Sequence, residues 1–359
     1  MRHPAWTSIA VLCASITWVL ADSQGQNAGQ NATSRSLQVT EVVPTEIDQV
    51  GTVVPDQCDA DGNIYLRPYG ANLRFGWGDI VKLSSKGKKL ATFSPQQDLD
   101  PTAAFVARDG GVYVMAAHEE RENEADARRA ERRPWTPPEI YILHYRQDGQ
   151  FDKKTKLAAS FLPSGSFVVF PSGEILVSVI EQTDAGKPTS APFTGLFDQS
   201  GTLLKKISGK EDDWIVKAVE SHDAAKVDLG KGSNPAIARG QAVVGSDGNA
   251  YIMRRSDPAV VYVVSAGGVI VRTLKLSSGD PPLSPSIMAE NNGQLAVLFQ
   301  NFGPSESRIG IFDARNGEEL EMVEVGPTFG SAMTCFNPPN FTFIRVQDKK
   351  FVFTGAQLR

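Results

Sequence analysis

The side chains that could do acid–base chemistry in this chain are few. Three histidines, His118, His144 and His222, lie downstream of residue 21. His222 is followed by Asp223, and such a pair can act as a general base with a carboxylate that orients it. The sequence contains no HExxH, CxxC, GxSxG or phosphate-loop motif. A single His–Asp pair in a polar segment is more typical of a solvated surface, so the sequence predicts no catalytic residue.

Groups that could hold a ligand are more numerous. Aromatic rings and arginines are common anchors for sugars, peptides and proteins. They cluster in three loop segments, and the candidate ligand-binding residues are Tyr69, Arg74, Trp77, His118, Trp135, Trp214 and His222. The alternative is that the aromatic rings among them pack against neighbouring strands and bind nothing.

Short alternating strands must position these residues, and they recur along the chain. The clearest copy is 58–94, where apolar strands are separated by an Asp61-Gly62 turn and a Lys86-Gly87 turn. The first turn recurs at Gly110, Gly173, Gly248 and Gly293 and, in a degenerate form, at Pro339; the second recurs at Gly149, Gly201, Gly268 and Gly317. A two-turn unit repeated over the whole chain is typical of a radial array of sheets.

The number of strands predicts how such an array closes. Five full units and a sixth that stops after 351–354 leave one strand missing, and the alternating segment 36–43, SLQVTEVV, can supply it. The sequence therefore predicts an all-β fold, a six-bladed β-propeller over residues 36–359 whose last blade is closed by an N-terminal strand. The alternatives are an open sandwich or two domains, which the fixed repeat disfavours.

The repeat resembles those of the NHL-repeat and wider TolB-like six-bladed propellers. The resemblance rests on DADGNIY at 59–65, the apolar third strand and GKKLATF at 87–93. Arg67 and Pro68 stand where NHL repeats usually carry an aspartate after the second strand. The resemblance covers nearly all of the chain after the leader, but it implies a fold and does not fix a function.

Some propellers of this type are calcium-dependent lactonases or arylesterases, with the metal held by carboxylates and amides of the central channel. The resemblance thus implies an alternative function, a lactonase- or esterase-like hydrolase or a lyase at the channel mouth, with calcium as cofactor. Asp59 and Glu290 follow inner strands, but they neighbour tight turns and should lie at the other end of the channel. The sequence itself predicts no metal site.

The two faces of the predicted propeller differ. First-to-second and third-to-fourth strand turns share one face, here called the tight-turn face; the other connections share the opposite, looped face. The extra length of the chain lies in 117–138, 181–193 and 209–240, all on the looped face. Since loops on a rigid scaffold carry function, we expect a ligand or partner there.

Two of the long segments have helical patterns. In 119–133 acidic residues precede arginines at helical spacing, which favours a solvated helix; an arginine patch for an anion is the alternative. Residues 212–219 read as a short amphipathic helix that includes Trp214. Packing on the blades is the simpler interpretation of this helix, and a lid is the other.

Two cysteines form a candidate disulfide. Cys58 and Cys335 occupy the same repeat position, four residues before the turn residue, in the first and sixth blades. In an exported protein such a pair can be bridged, and the alternative is two small apolar side chains in a core position. Matching positions on neighbouring blades must come within about 7 Å at Cα for a bond to form.

The composition and the N-terminal sequence limit the kind of partner and the cellular location that the protein can have. The chain has 359 residues and a formal net charge of −5, which disfavours a nucleic-acid partner. Basic residues before the apolar run 9–20 predict a signal peptide at 1–21, because the run is shorter than the ~20 residues of a membrane span. Residues 22–35 are polar and predict a disordered lead-in.

These observations favour a secreted or periplasmic, monomeric binding module. Its expected partner is a protein, a peptide or a carbohydrate on the looped face, with no membrane span after signal removal. A purely structural component of the cell envelope is a third interpretation.

Overall fold

A computed structural model describes residues 35–48, 52–69, 78–96, 98–118, 138–159, 161–182, 188–207, 241–254, 258–301, 306–329, 332–348 and 350–359. They belong to a compact unit that spans Arg35–Arg359. The predicted signal peptide and nearly all of the predicted lead-in lie outside the described residues and stay predictions.

The described residues form twenty-four β-strands and a short 3-10 helix, Pro327–Phe329. The strands are β1 Leu37–Asp48, β2 Thr52–Cys58, β3 Ile64–Tyr69, β4 Ile80–Leu83, β5 Lys89–Phe93, β6 Asp100–Val106, β7 Val112–His118, β8 Glu139–Tyr145, β9 Phe151–Lys156, β10 Phe161–Val169, β11 Ile175–Gln182, β12 Pro188–Phe197, β13 Leu203–Ile207, β14 Ala242–Val244, β15 Ala250–Arg254, β16 Ala259–Val264, β17 Ile270–Leu276, β18 Ser284–Asn291, β19 Gln294–Gln300, β20 Ser307–Asp313, β21 Glu319–Glu324, β22 Ala332–Asn337, β23 Asn340–Gln347 and β24 Lys350–Leu358. No helix among the described residues is long and apolar enough to cross a membrane.

The strands form six four-stranded antiparallel sheets, the blades. Blades 1 to 5 take four consecutive strands each, from β2–β5 to β18–β21, and blade 6 has the order β22-β23-β24-β1. The innermost strands contact one another in chain order, and β22 contacts β2. The predicted fold class is confirmed: the protein is a six-bladed β-propeller closed by its N-terminal strand.

Burial follows from the position of a strand in its blade. The third strand β16 of blade 4, Ala259–Val264, is buried at every position, because neighbouring blades cover both faces of the sheet. The outermost strand β9 of blade 2, Phe151–Lys156, is exposed at almost every position. The sequence therefore alternates between apolar middle strands and polar outer strands within each repeat.

The tight turns also pack blades together. In blade 3 the turn between β12 and β13 places Gly201 at φ +85°, against the outermost strand of blade 2. The Ala158 N–H donates to the Gly201 carbonyl at 2.8 Å. A Cβ on Gly201 would lie 1.9 Å from the Lys156 carbonyl oxygen. The absence of a side chain therefore lets blade 3 approach blade 2.

Cys58 and Cys335 form a disulfide in the structure, with Cα atoms 5.4 Å apart. Cys58 ends the inner strand of blade 1, and Cys335 lies in the inner strand of blade 6. The bond joins the two blades that meet where the ring closes. That the protein carries this bond in solution is a prediction, tested below.

The substitution Gly201→Ala should destabilise the fold far more than Gly62→Ala. Gly62 also has a positive φ, +76°, but nothing lies within 4 Å of its added Cβ. We expect a loss of about 1 kcal/mol in unfolding free energy for Gly62→Ala, and a further loss of about 1–3 kcal/mol for Gly201→Ala. Urea unfolding of both variants measures the difference. Equal losses would show that this close packing of blades is absent in solution.

Alkylation of the purified protein without its predicted leader tests the disulfide. We expect no added mass on Cys58 or Cys335 without reductant and two alkyl groups after reduction, measured by intact mass. The matched variant Cys58→Val/Cys335→Ala copies residues at the same repeat position, Val106 and Ala289. It should lose up to about 5 kcal/mol of stability relative to the oxidised protein but little relative to the reduced one. Two free thiols in the purified, unreduced protein would rule the bond out.

Candidate functional site

The structure places two of the predicted ligand-binding residues. Tyr69 is the last residue of β3, so it belongs to a strand rather than to the following loop. His118 is the last residue of β7. Both strands run toward the looped face, so both residues lie at its rim. Arg74, Trp77, Trp135, Trp214 and His222 lie outside the described residues.

His118 belongs to a polar group at the looped end of blade 2, here called the blade-2 rim. It pairs with Glu139 across the β7–β8 ladder. Its Nδ1 lies 3.3 Å from the Asp98 carbonyl oxygen, in the connection from blade 1. Because a carbonyl only accepts, this contact requires a proton on Nδ1 and leaves Nε2 for another partner.

The other members of the blade-2 rim are paired with one another. The Glu139 carboxylate accepts hydrogen bonds from Lys156 Nζ and from the Tyr141 hydroxyl. Lys154 Nζ lies 3.8 Å from Asp98 Oδ2 and 4.9 Å from the centre of the Tyr141 ring. The rim thus presents charges of both signs beside the long connection 119–138.

These contacts shift two pKa values. The hydrogen bond from Lys156, followed by that from Tyr141, holds the pKa of the Glu139 carboxyl below its usual range. The same hydrogen bond to Glu139 raises the pKa of the Tyr141 phenol to about 12. Glu139 is therefore an ionised, occupied acceptor, which suits polar recognition at the rim better than proton transfer.

At the tight-turn face a carboxylate is buried between blades 1 and 2, in what we call the Asp59 network. Asp59 Oδ2 accepts from the Tyr65 hydroxyl at 2.9 Å and lies 3.0 Å from Lys82 Nζ. Asp59 Oδ1 accepts from the Asn63 N–H at 2.9 Å. The side chains of Asp59 and Lys82 are only 2% and 8% exposed, so each charge depends on the other for neutralisation.

The hydrogen bonds outweigh the burial in setting the charge of Asp59. Burial by itself raises the pKa of this carboxyl, but the hydrogen bonds from Asn63, Lys82 and Tyr65 lower it below its usual value. Burial, followed by the charge of Asp59, raises the pKa of the Tyr65 phenol. The network is thus a fixed carboxylate with three permanent donors.

A second buried carboxylate, Glu290, lies at the same face in blade 5. Its Oε1 accepts from the Ser246 hydroxyl at 2.7 Å and from the Gly293 N–H at 2.9 Å. Arg108 Nη1 lies 4.0 Å from Glu290 Oε2. Because Arg108 belongs to blade 2, opposite blade 5 in the ring, this contact spans the channel at its tight-turn end.

The described residues offer no ready metal site. Among them there is no group of three His, Cys, Asp or Glu side chains that could hold a metal ion. Asp59 and Glu290 lie at the tight-turn face, as expected from their place next to tight turns. Both already accept from N–H or O–H donors and face a cation, which is a poor environment for calcium.

The contacts of Lys82 and His144 were not predicted from the sequence. Both stand at one repeat position in the third strand, where other blades carry Leu196, Val263 and Phe312. A polar residue in a position that is otherwise apolar is a signal that alignment of the repeats could have detected. The partners of these two side chains come from other strands and could not be read from the repeat.

The class of protein is defined by its sheets: a closed six-bladed β-propeller. No protein-family model matches the chain, and no curated protein matches it. Among solved structures it is similar to a candidate exported protein from Bacteroides fragilis, with 10% identity and a TM-score of 0.52 over 90% of this chain and 95% of that one. It is also similar to a protein of unknown function from Bacteroides caccae, with 12% identity and a TM-score of 0.45 over 83% of this chain and 96% of that one. At these identities the likeness shows the fold alone.

Acid should weaken the fold through Asp59. Because its folded-state pKa lies below that of the unfolded chain, about 3.9, the carboxylate stabilises the fold above that pH. This contribution is lost as the pH falls through the folded-state pKa. Asp59→Asn leaves Lys82 buried without a counter-ion, so we expect a loss of about 3–5 kcal/mol at pH 7 and a smaller loss at pH 3, which lies below the unfolded-state pKa. Urea unfolding at both pH values measures it.

The double variant Asp59→Asn/Lys82→Met is the matched control. It removes both buried charges and keeps the volume of the lysine, so it should recover much of the stability lost in Asp59→Asn. If the loss in Asp59→Asn does not depend on pH, or if the double variant is no more stable, the ion pair does not have this role.

Proposed function

We propose that this protein is an exported binding module that presents a ligand or partner site on its looped face. The observation that carries the proposal is the placement of its tryptophans. The chain has five, two of them in the predicted signal peptide. The remaining three, Trp77, Trp135 and Trp214, all fall in connections between strand ends of the looped face. Tryptophan is the residue type most enriched at binding hot spots.

The contrast between the two faces supports the same proposal. On the tight-turn face, short hydrogen-bonded turns close each hairpin, as at Gly62, Gly149 and Gly201. On the looped face, the connections range from a tight one after β23 to the long segments 119–138 and 208–241. A repeat that varies in length at one face only is typical of a scaffold that carries recognition there.

The chemistry of these connections suits a protein, a peptide or a carbohydrate. Segment 119–138 contains five arginines beside Trp135, and Arg74 lies close to Trp77. Arginine and tryptophan give planar, weakly hydrated contact surfaces. The net charge of −5 disfavours nucleic acid.

The proposals that the protein is exported and that it is related to NHL-repeat and TolB-like propellers have less direct support. The N-terminal sequence has the pattern of a signal peptide, and the similar Bacteroides fragilis structure is of a candidate exported protein. The repeat motif supports kinship with NHL-repeat and TolB-like propellers. A ring without a free sheet face supports a monomer in solution.

Intrinsic fluorescence tests the proposal. After removal of the leader, all tryptophan emission comes from the three connections that contain Trp77, Trp135 and Trp214, so a ligand bound by them should change it saturably. We expect at least one member of a panel of glycans and peptides to do so. Trp135→Phe and Trp77→Phe variants should lose part of the change, whereas Phe151→Leu, on the outer strand of blade 2, should keep it. If no member of the panel changes the tryptophan emission, although some bind saturably, the ligand site does not lie on the looped face.

A different measurement distinguishes the binding module from the alternative function, a calcium-dependent lactonase- or esterase-like hydrolase or a lyase. Stoichiometric calcium in the purified protein, together with turnover of a lactone or ester panel, would replace the binding proposal. Binding without turnover supports it.

A further inference from the structure

A cleft of about 230 Å³ opens at the tight-turn face between blades 2 and 3. One wall is a row of cross-strand neighbours in blade 2: Tyr113, His144 and Lys153. The other wall belongs to blade 3 and consists of the turn residues 171–173 and Gln199. The cleft lies on the face opposite to the one that carries the proposed function.

The floor of the cleft is apolar. Ile142, Val169 and Ile175 form it, and all three belong to the core shared by these blades. Polar groups therefore stand around the edge of an apolar base. A small apolar surface with a few placed polar groups is the usual composition of a ligand site.

His144 presents one nitrogen to a ligand. Its imidazole stacks on the Tyr113 ring, with centroids 4.4 Å apart and planes at 18°. Its Nδ1 lies 2.9 Å from Asp152 Oδ2. Because the carboxylate accepts, Nδ1 carries a proton, and in the tautomer that this contact selects Nε2 is the acceptor. Asp152 thus fixes which nitrogen of the His144 ring can accept a hydrogen bond from a ligand.

Tyr113 and Lys153 supply donors. Within the part of the chain that the structure describes, neither the Tyr113 hydroxyl nor the Lys153 ammonium has a hydrogen-bond or ion-pair partner. Burial, followed by the charges of Asp109 and Asp152, raises the pKa of the Tyr113 phenol. The Tyr113 hydroxyl therefore remains a donor at neutral pH. Gln199 donates its amide to the Ser172 carbonyl at 2.7 Å, which leaves its side-chain oxygen to accept.

In two other blades, side chains of the protein itself occupy the position that corresponds to this cleft. In blade 1 it holds the Asp59 network. In blade 4 the Tyr251 hydroxyl and Arg272 Nη2 both donate to Asp247 Oδ2, at 3.0 and 2.7 Å. Blade 2 keeps the tyrosine and the basic side chains but has Ala107 where blade 1 has its aspartate. Its polar groups are left for a molecule from outside.

The charges around the cleft decide what that molecule can be. An anion would pair with Lys153 but would face the His144 Nε2 lone pair and the nearby carboxylates of Asp152 and Asp109. Asp109 stands at the repeat position of Asp247, yet its Oδ1 accepts from the Gly111 N–H instead of from Tyr113. A cation would meet the ammonium group of Lys153. A neutral ligand avoids both penalties.

We propose that this cleft binds a single neutral sugar ring. Adjacent hydroxyl groups both donate and accept, so one can donate to His144 Nε2 or to the Gln199 side-chain oxygen while the next accepts from Lys153 or Tyr113. The C–H face of the ring rests on Ile142, Val169 and Ile175. The volume of the cleft suits one ring and is below that of a site for a drug-sized molecule.

Titrations with three related sugars test the ligand class. Glucose, glucuronate and glucosamine present similar rings with a neutral, a negative and a positive charge. We expect glucose, or a neutral epimer such as galactose or mannose, to shift the His144 imidazole resonances saturably in NMR and to bind most tightly. Tryptophan emission should stay unchanged, which separates this site from the looped face. Tighter binding of either charged sugar, or no saturable shift with any neutral one, would overturn the proposal.

Variants locate the site. Lys153→Ala and His144→Leu should each weaken binding about tenfold, as expected for the loss of one hydrogen bond. Leucine is the residue that blade 3 carries at this repeat position, Leu196, so His144→Leu should fold. Lys205→Ala is the matched control, because Lys205 is exposed at the repeat position of Lys153 in blade 3 and does not line the cleft. Equal affinity in Lys153→Ala and Lys205→Ala, both folded by circular dichroism, would contradict the proposed site.

Discussion

The structure depends on one constraint: the middle strands of each sheet are apolar on both faces, so every blade needs a neighbour on either side. A row of five blades would leave two such faces in water. Pairing of β1 with β24 completes a sixth blade, and the inner strand β22 then contacts β2. Ser36 and Arg359 exchange backbone hydrogen bonds of 3.0 and 3.2 Å at this closure. The two ends of the chain are thus held together because the hydrophobic faces must be covered.

Close contact between blades also explains where charge is tolerated. The tight turns bring neighbouring blades together so closely that polar side chains there lose most of their water. Asp59 remains ionised because Asn63, Tyr65 and Lys82 replace that water, and Glu290 is held by Ser246 and by the N–H of its own turn. An unpaired charge in either place would cost several kcal/mol, which is a large part of the stability of an ordinary domain. Packing and electrostatics at this face therefore depend on each other.

Much of the fold could be predicted from the sequence, because the information lies in local patterns that repeat. The turn glycines, the alternating strands and the missing sixth-blade strand were sufficient for the six-bladed ring and its closure. Strand ends were less accurate: β3 continues to Tyr69, which had been assigned to a loop, and β1 continues from the predicted 36–43 to Asp48. The residues in these extensions form strand because they pair with a neighbouring strand. The local sequence pattern carries no information about that partner.

The candidate sites were harder to predict for the same reason. The Arg108–Glu290 contact joins opposite blades, and nothing in either repeat indicates that the two side chains meet. Lys82 and His144 share a repeat position, yet one is neutralised by an aspartate of its own blade and the other faces a cleft. The surroundings of Lys82 and His144 differ because the adjacent segments of blades 1 and 2 carry different residues. Such sites need the assembled blades, whereas the position of His118 at the looped face could be predicted because His118 ends a strand and precedes a long connection.

Blade 2 departs from the repeat at both of its ends. At the looped end it carries the mixed charges of the blade-2 rim, with Glu139 and Lys156 beside the long connection 119–138. At the tight-turn end it has His144 where blade 3 has a leucine and blade 5 a phenylalanine. A blade that only filled the ring would be expected to keep apolar residues there, as blades 3, 4 and 5 do, since burial of apolar surface stabilises the ring. Polar departures in one blade, at both faces, indicate that this blade is adapted to something other than closure of the ring.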